Sequence, residues 1–498
     1  MHTEIAPSDG LNKPFIPIIV EPRSDSCNYL DDQASKPSVF STYEEDIQKL
    51  WKTEEERARV RMLLKQAEEE SEQKIIKITR PVEPLRKKII NAAILIKYGI
   101  HWRKPFYPLR LVKNFAKAFF YRMTGKRYPY AFRGIEFAIT YLCNFTCHHC
   151  LCANIEESKY RKELTPEETA RVVNEAMELG ATTFGLEGGE PLFKKDWRDY
   201  LKAFQGDKNH IIISTNGWMF TEEIVKECYD LGVDTINVSL DSGIPELHDL
   251  FRKKRGSYDK VMKLIEWGEK HGIKMLINHT LHKGNLYTTG FRDLLEFCET
   301  RKIMINILFA KGVGEFMSKR CMLDHKDIEA YRQIIKPYAY AHIHHTAGGE
   351  GHDDSVNYNY GKGGCPGTSE MFNMTPYGDV IQCANMHIYF GNVRDKPLKD
   401  IRDKVLNESP FGQPNNCFLT LEPDFMNVYY PMLESKGKIS HAGDTHISLD
   451  EFNEGLKQYE IKNKKVVFPN SYQNEEYFQQ QGKVDMIAHR KAILQDKH

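Results

Sequence analysis

From residue 134 onward the chain alternates between short apolar runs and longer amphipathic stretches, and this rhythm restricts the fold more than any other feature. Runs at 135–142, 182–186, 210–214, 235–240, 274–280 and 304–309 read as strands. Helix-period segments lie between them, including 166–179, 222–231 and 258–271. The last two are followed by Gly232 and Gly272, which suit left-handed C-terminal caps. Strands joined through helices pair in parallel, since each crossover returns the chain to the same end. Six βα units around one parallel sheet are therefore expected, with ligands at the carboxyl ends of the strands.

The first run ends in Cys143-Asn144-Phe145-Thr146-Cys147-His148-His149-Cys150. Three thiolates this closely spaced can wrap one small inorganic core, and soft ligands select zinc, Cu(I) or an iron–sulfur cluster. A structural zinc or a fully ligated [4Fe–4S] cube takes four protein ligands. Three cysteines would leave one iron with open positions, where chemistry can occur.

The Cys-x3-Cys-x2-Cys loop after a first strand resembles the cluster loop of the radical S-adenosylmethionine (SAM) superfamily. His149 stands where that family usually has a larger aromatic. Gly188-Gly189-Glu190-Pro191, after the second run, resembles the family's turn for the SAM amino group. Glycines let a backbone approach a ligand closely, and Glu190 reads as polar support. Ser214-Thr215-Asn216-Gly217 resembles a turn beside the cofactor. In Val238-Ser239-Leu240-Asp241-Ser242, Ser239 and Asp241 are expected to bond the SAM carboxylate or ribose. Arg252 sits where relatives often pair a carboxylate, though a surface ion pair in the run Lys253-Lys254-Arg255 would explain it equally well. Asn278 falls where relatives contact adenine or ribose, and His279 reads as an ordinary half-buried histidine. The resemblance implies a partial (β/α)6 TIM-type barrel of the α/β class, with a helical N-terminal extension and a small C-terminal auxiliary-cluster domain.

Past the barrel come Cys365-Pro366-Gly367, then Pro376-Tyr377-Gly378-Asp379-Val380-Ile381-Gln382-Cys383, then Gly391-Asn392-Val393 and Cys417. The central stretch is a hairpin that delivers a cysteine. It resembles the auxiliary-cluster region of twitch and SPASM relatives in its shorter form, which implies a second [4Fe–4S] cluster on Cys365, Cys383 and Cys417. Zinc is the structural rival there. Cys321 is the nearest spare cysteine for a fourth ligand. Cys228 and Cys298 read as core, Cys152 as a weak competitor for the first cluster, and Cys27 has no evident partner. The histidines of 342–354 read as a substrate-side loop.

The 498 residues divide into a polar lead at 1–41, a helical extension at 42–133, the barrel at 134–325, the auxiliary-cluster region at 326–425 and a C-terminal extension at 426–498. The stretch 42–77 reads as one or two helices that pack on the barrel, capped at Ser41 or Thr42. Net charge is zero, so no global polyanion preference follows. Residues 85–135 differ, with thirteen Lys or Arg and no Asp or Glu among aromatics and aliphatics. Leu109, Leu111, Val112, Phe115, Ala116, Phe119 and Phe120 share a helical face. A basic amphipathic helix of this kind suits a membrane interface, and packing on the protein is the competing explanation. No nucleic-acid fold signature accompanies the charge. The apolar run 89–96 falls far short of the ~20 residues needed to span a bilayer. Eleven cysteines, several at cluster spacing, suit a reducing cytoplasm, with peripheral contact to the inner face of the membrane.

The resemblance implies that an electron from a low-potential donor of the flavodoxin or ferredoxin type enters the Cys143/Cys147/Cys150 cluster and cleaves SAM. The resulting 5′-deoxyadenosyl radical abstracts hydrogen from a substrate. The basic stretch suggests a lipid or membrane-held substrate. Peptide or protein modification is the alternative within the superfamily, followed by a small soluble metabolite. An iron–sulfur carrier or redox sensor is the alternative outside it, and such a protein would not need the Gly188–Pro191 turn.

Overall fold

A computed structural model of the chain describes most of residues 35–463. The main stretches outside the description are 1–34, 94–102, 124–131, 156–160, 344–366, 412–416, 437–446 and 464–498. Cys27, Cys365 and most of the histidine-bearing loop fall among them. Two helices open the description, α1 (Tyr43–Leu50) and α2 (Glu54–Gln73), followed by α3 (Tyr107–Met123). The barrel part runs β1 (Gly134–Ala138), α4 (Pro166–Glu178), β2 (Thr183–Glu187), α5 (Trp197–Ala203), β3 (His210–Thr215), α6 (Glu222–Asp230) and β4 (Val233–Ser239). It continues through α7 (Pro245–Arg252), α8 (Ser257–His271), β5 (Lys274–Leu281), α9 (Thr289–Arg301) and β6 (Met304–Phe309) to α10 (His325–Ile335) and β7 (Ala341–Ile343). The C-terminal part comprises β8 (Met371–Met374), β9 (Asp379–Ile381), β10 (Ile388–Asn392), α11 (Leu398–Glu408), α12 (Phe418–Leu421), α13 (Pro423–Ser435), β11 (Ile447–Ser448) and α14 (Leu449–Asn463).

All six expected strands form, within a few residues of their expected ends. β1 to β6 pair in sequence order and in parallel, and β7 follows on β6. Local chemistry agrees with this layout. Thr165 and Glu168 make a reciprocal capping box on α4 with Pro166 in its first turn, and Gly272 ends α8 at a φ of +75°. Successive strand residues face opposite ways. One face of the sheet packs Ile211, Ile213, Ile236, Val238, Ile277, Ile305 and Ile307 into the core under the helices. The other face carries Glu136, Glu187, Ser214, Asn237, Ser239, Asn278 and Asn306, all half-buried. The lumen of this barrel is polar.

The C-terminal region extends the same sheet. β8 pairs in parallel with β1, and the β8–β9 hairpin and β10 follow outward, so eleven strands run in the order β11-β10-β9-β8-β1-β2-β3-β4-β5-β6-β7. Asn392 of the Gly391-Asn392-Val393 motif donates to Tyr377 O at 2.9 Å and Asp379 Oδ1 at 2.8 Å, which locks the hairpin. Arg161 grips Asp379 through two 2.7 Å bonds. The helices α13 and α14 cover the outer end of the sheet around Phe411, Phe425 and Phe452.

α1 and α2 pack on the barrel as expected, with Tyr43, Ile47 and Trp51 buried. The working cap is Thr53, which forms a capping box with Glu56 on α2, whereas Thr42 makes no side-chain cap bond. α3 reverses the usual arrangement. It docks through the buried ring of Tyr107 and through polar groups: Arg110 donates to Asn209 Oδ1 at 2.7 Å and Ala181 O at 2.5 Å, and Asn114 donates to Gly180 O. Leu109, Val112 and Phe120 are left 65%, 65% and 54% exposed, at spacings that keep them on one stripe. Part of the basic charge is spent on the barrel. Lys104 is buried against Asp234, Arg86 pairs with Glu299, and Arg133 pairs with Glu370. Among the described residues, no helix is long and apolar enough to cross a membrane.

Candidate active site

Residues 139–152 leave β1 and cross the top of the sheet, where the backbone of the β2 turn holds them. Gly189 N donates to Thr140 O and Glu190 N to Leu142 O, both at 2.9 Å. A Cβ on Gly188 would lie 2.2 Å from Thr140 O, and one on Gly189 would lie 2.2 Å from Leu142 O. Gly188 also has a φ of +141°. The double glycine is thus required by close approach to the cysteine loop itself, a constraint additional to any ligand.

Glu190 is fully buried and does not line the cavity; it is the clamp beneath it. Its carboxylate accepts from Thr215 Oγ1 at 2.8 Å and from Asn216 N at 2.8 Å. Burial pushes its carboxyl up to about 7, against the opposing pull of these bonds. Asn216 Nδ2 in turn donates to Asn144 Oδ1 at 2.8 Å and lies 3.8 Å from Cys143 Sγ. Glu190→Gln removes one of the two acceptor oxygens from a site sealed from bulk solvent. We expect it to cost about 1–3 kcal/mol in denaturant unfolding and to lower the iron retained by the loaded protein.

Asp241 and Arg252 are buried together. Arg252 Nε donates to Asp241 Oδ2 at 2.6 Å, and its Nη1 lies 3.8 Å from Cys147 Sγ. A surface ion pair with the neighbouring lysine run does not describe this arginine. Asp241 also accepts from Thr280 N at 3.0 Å. Burial alone would raise its carboxyl, but Arg252 and the surrounding histidines hold it well below the ordinary carboxylate range. Asp241 therefore fixes Arg252, and it does not line the cavity. Asn278 accepts from Asn306 Nδ2 at 3.0 Å and does not line the cavity, nor does Pro191. His279 is fully buried and stacks on Phe291. His149 stacks on Phe251 at 4.6 Å, filling with an imidazole the place of a larger ring.

Cys143, Cys147 and Cys150 surround one cavity of about 210 Å³ together with Gly188, Gly189, Thr215, Asn216, Ser239 and Arg252. Among the described residues, no three metal-ligating side chains converge on a single-ion point. Burial pushes Cys143 up to about 11 and Cys147 up to about 12, so without iron both are thiols, and metal uptake would release their protons. Cys152 lines the same cavity and lies beside Cys150. In the C-terminal region, Cys383 and Cys417 lie within electrostatic reach of each other. Cys321 is buried, with its thiol directed at Lys311 O and Phe316 O, and Cys228 and Cys298 are core residues as expected. Sequence reasoning missed Glu136, Glu187 and Asn373. Glu187 had a signal, a charged residue at a strand end beside the double glycine, but Asn373 had none, because nothing local places β8 next to β1.

Residues 137–297 match the family model described as the Radical SAM superfamily, and the chain carries a domain of that superfamily. It is 27% identical over 285 residues to an AdoMet-dependent heme synthase of Methanosarcina barkeri, an alignment covering 54% of this chain and 81% of that one. It is 33% identical over 197 residues to a GTP 3',8-cyclase of Rhizobium etli, covering 37% of this chain and 55% of that one. Among solved structures, Streptococcus suis SuiB bound to precursor peptide SuiA superposes with a TM-score of 0.48 at 17% identity, covering 68% of this chain and 81% of that one. Membership implies a [4Fe–4S] cluster, SAM and an external reductant.

Proposed function

We propose that Cys143, Cys147 and Cys150 hold a [4Fe–4S] cluster with one open iron, and that the cavity beside them binds SAM together with a substrate drawn from a membrane surface. When bound, the cluster and SAM supply a 5′-deoxyadenosyl radical that abstracts hydrogen. The chain's own residues position and shield. The observation that carries this reading is the convergence of the cysteine loop, the Gly188–Gly189 turn, Thr215, Asn216, Ser239 and Arg252 on one cavity at the carboxyl ends of the strands. Arg252 offsets thiolate charge at Cys147, and Glu190 pins the two flanking turns to each other. A second cluster on Cys365, Cys383 and Cys417, with a flavodoxin- or ferredoxin-type donor, belongs to the same proposal. So does a location at the cytoplasmic face.

The membrane part rests on α3. Its stripe Leu109, Val112 and Phe120 faces solvent while Tyr107, Arg110 and Asn114 hold the barrel, so packing on the barrel leaves these three apolar side chains unaccounted for. Burying each such side chain in an apolar phase is worth roughly 1.5–3 kcal/mol, more than the ~1 kcal/mol from each nearby Lys or Arg on an anionic surface. We expect the anaerobically loaded protein to sediment with phosphatidylglycerol vesicles, more weakly at high salt, and to sediment less with phosphatidylcholine. Changing Leu109, Val112 and Phe120 together to Ser should abolish sedimentation. Wild-type protein remaining in the supernatant would redirect the substrate search to peptides and soluble metabolites.

A further inference from the structure

The cavity wall formed by the first two strands carries an acidic group that the reading above does not use. Register pairs Glu136 of β1 with Gly185 of β2, and Ala138 with Glu187, so the two glutamates stand on the lumen face of neighbouring strands, offset by one step of the pleat. Gly185 leaves room for this: a Cβ there would lie 3.0 Å from Glu136 Cγ. Asn373 of β8, opposite Glu136 in register on its other side, donates Nδ2 to Glu136 Oε2 at 3.5 Å. Its Oδ1 has no partner among the described residues, although Asn373 is only 7% exposed and lines the cavity alongside Glu187. The arginine on the cavity, Arg252, is already bound to Asp241. Burial pushes both glutamates up, and their mutual repulsion adds to this at Glu187.

The Glu187 carboxyl and the Asn373 amide therefore line the cavity, with Glu136 behind them on Asn373, and among the described residues no ion pair joins a cation to either glutamate. In its ionised form this wall would repel a phosphate- or carboxylate-rich group, and a cation bound against it would favour that form. The complementary group is small, positively charged and rich in N–H donors. We propose that Glu136, Glu187 and Asn373 form a subsite for a cationic nitrogen of the substrate, an ammonium or guanidinium, held beside the SAM position. The inference rests on the reading that this cavity receives SAM and substrate together. It narrows the substrate to an amine-bearing molecule, which on a membrane surface means an amphiphile with a cationic headgroup.

The test uses the full-length, cluster-loaded protein under anaerobic conditions with SAM present. Putrescine and agmatine serve as cationic probes and butanediol as the neutral counterpart, with binding followed by calorimetry and SAM cleavage assayed in parallel with dithionite. The cations are expected to bind at least about tenfold more tightly than the diol. That preference should fall to near parity in Glu136→Gln/Glu187→Gln, with folding checked by circular dichroism. Wild-type enzyme that cleaves SAM but binds the cations no better than the diol overturns the subsite, and this comparison needs no variant. A preference that survives in the folded double variant overturns it as well. Loaded wild-type protein that cannot cleave SAM overturns the reading of the cavity itself, and the subsite with it.

Discussion

Changing Cys143, Cys147 and Cys150 together to Ala is expected to remove the brown iron–sulfur absorption of the amino-terminal cluster and to reduce SAM cleavage to the background of SAM with dithionite alone. The three thiols border one cavity and are the only protein ligands proposed for that core. Without them no iron is held beside the Gly188–Gly189 turn, and no electron can reach a bound sulfonium. Cys298→Ala serves as the control. It also removes a buried sulfur, but from the core face of α9, away from the cavity, so it should keep its iron and its cleavage. Iron content, absorption spectra and 5′-deoxyadenosine release measure all three properties. Cleavage persisting in the triple variant would remove the cysteine loop from the chemistry.

Arg252→Met should produce the next largest effect, on stability as well as on the cluster. Arg252 and Asp241 are 7% and 4% exposed and share a 2.6 Å bond. Removing one partner of a buried pair leaves the other charge uncompensated, at a typical cost of about 3–5 kcal/mol. The change also withdraws the cation nearest Cys147, so iron should be lost more readily. In the double variant Arg252→Met/Asp241→Asn no unpaired charge remains, and much of the stability should return while the iron defect persists. The sign with pH follows from Asp241. In wild type its carboxyl is held below the ordinary value of 3.8, so its contribution is present above that value and is lost as pH falls through the depressed one. In Arg252→Met, acid neutralises the orphaned carboxylate, so the deficit against wild type narrows as pH falls. A denaturant series from neutral to acid pH reads this directly. A deficit that stays constant across the series would mean that Asp241 is not the group left exposed.

The legible parts of this chain were those whose physics is local. Strand ends, Gly272 as a cap, the cysteine spacing and the double glycine all depend on neighbours within a few residues. Arg252 was read with an even choice between a site and a surface pair, because its partner Asp241 is eleven residues away and only the turn into α7 brings them together. Asp241 reads from sequence as a SAM contact, and its bonds from Arg252 and Thr280 follow only from the fold. Glu190 was legible as support, though its two acceptor bonds to the β3 turn were not.

The sequence by itself determined the parallel βα order, the loop of three thiols and the glycines that must follow, because each of these is a matter of periodicity, spacing or the absence of a Cβ. Only the tertiary structure decided three further matters. β8 lies against β1, which brings Asn373 to Glu136 across more than two hundred residues of chain. The polar side of α3 meets the barrel, leaving its apolar stripe outward. The carboxylates of the lumen gather on one wall. In each case the deciding quantity was which surfaces become adjacent on folding, and long-range adjacency is set by the packing of the whole sheet, which no single segment encodes.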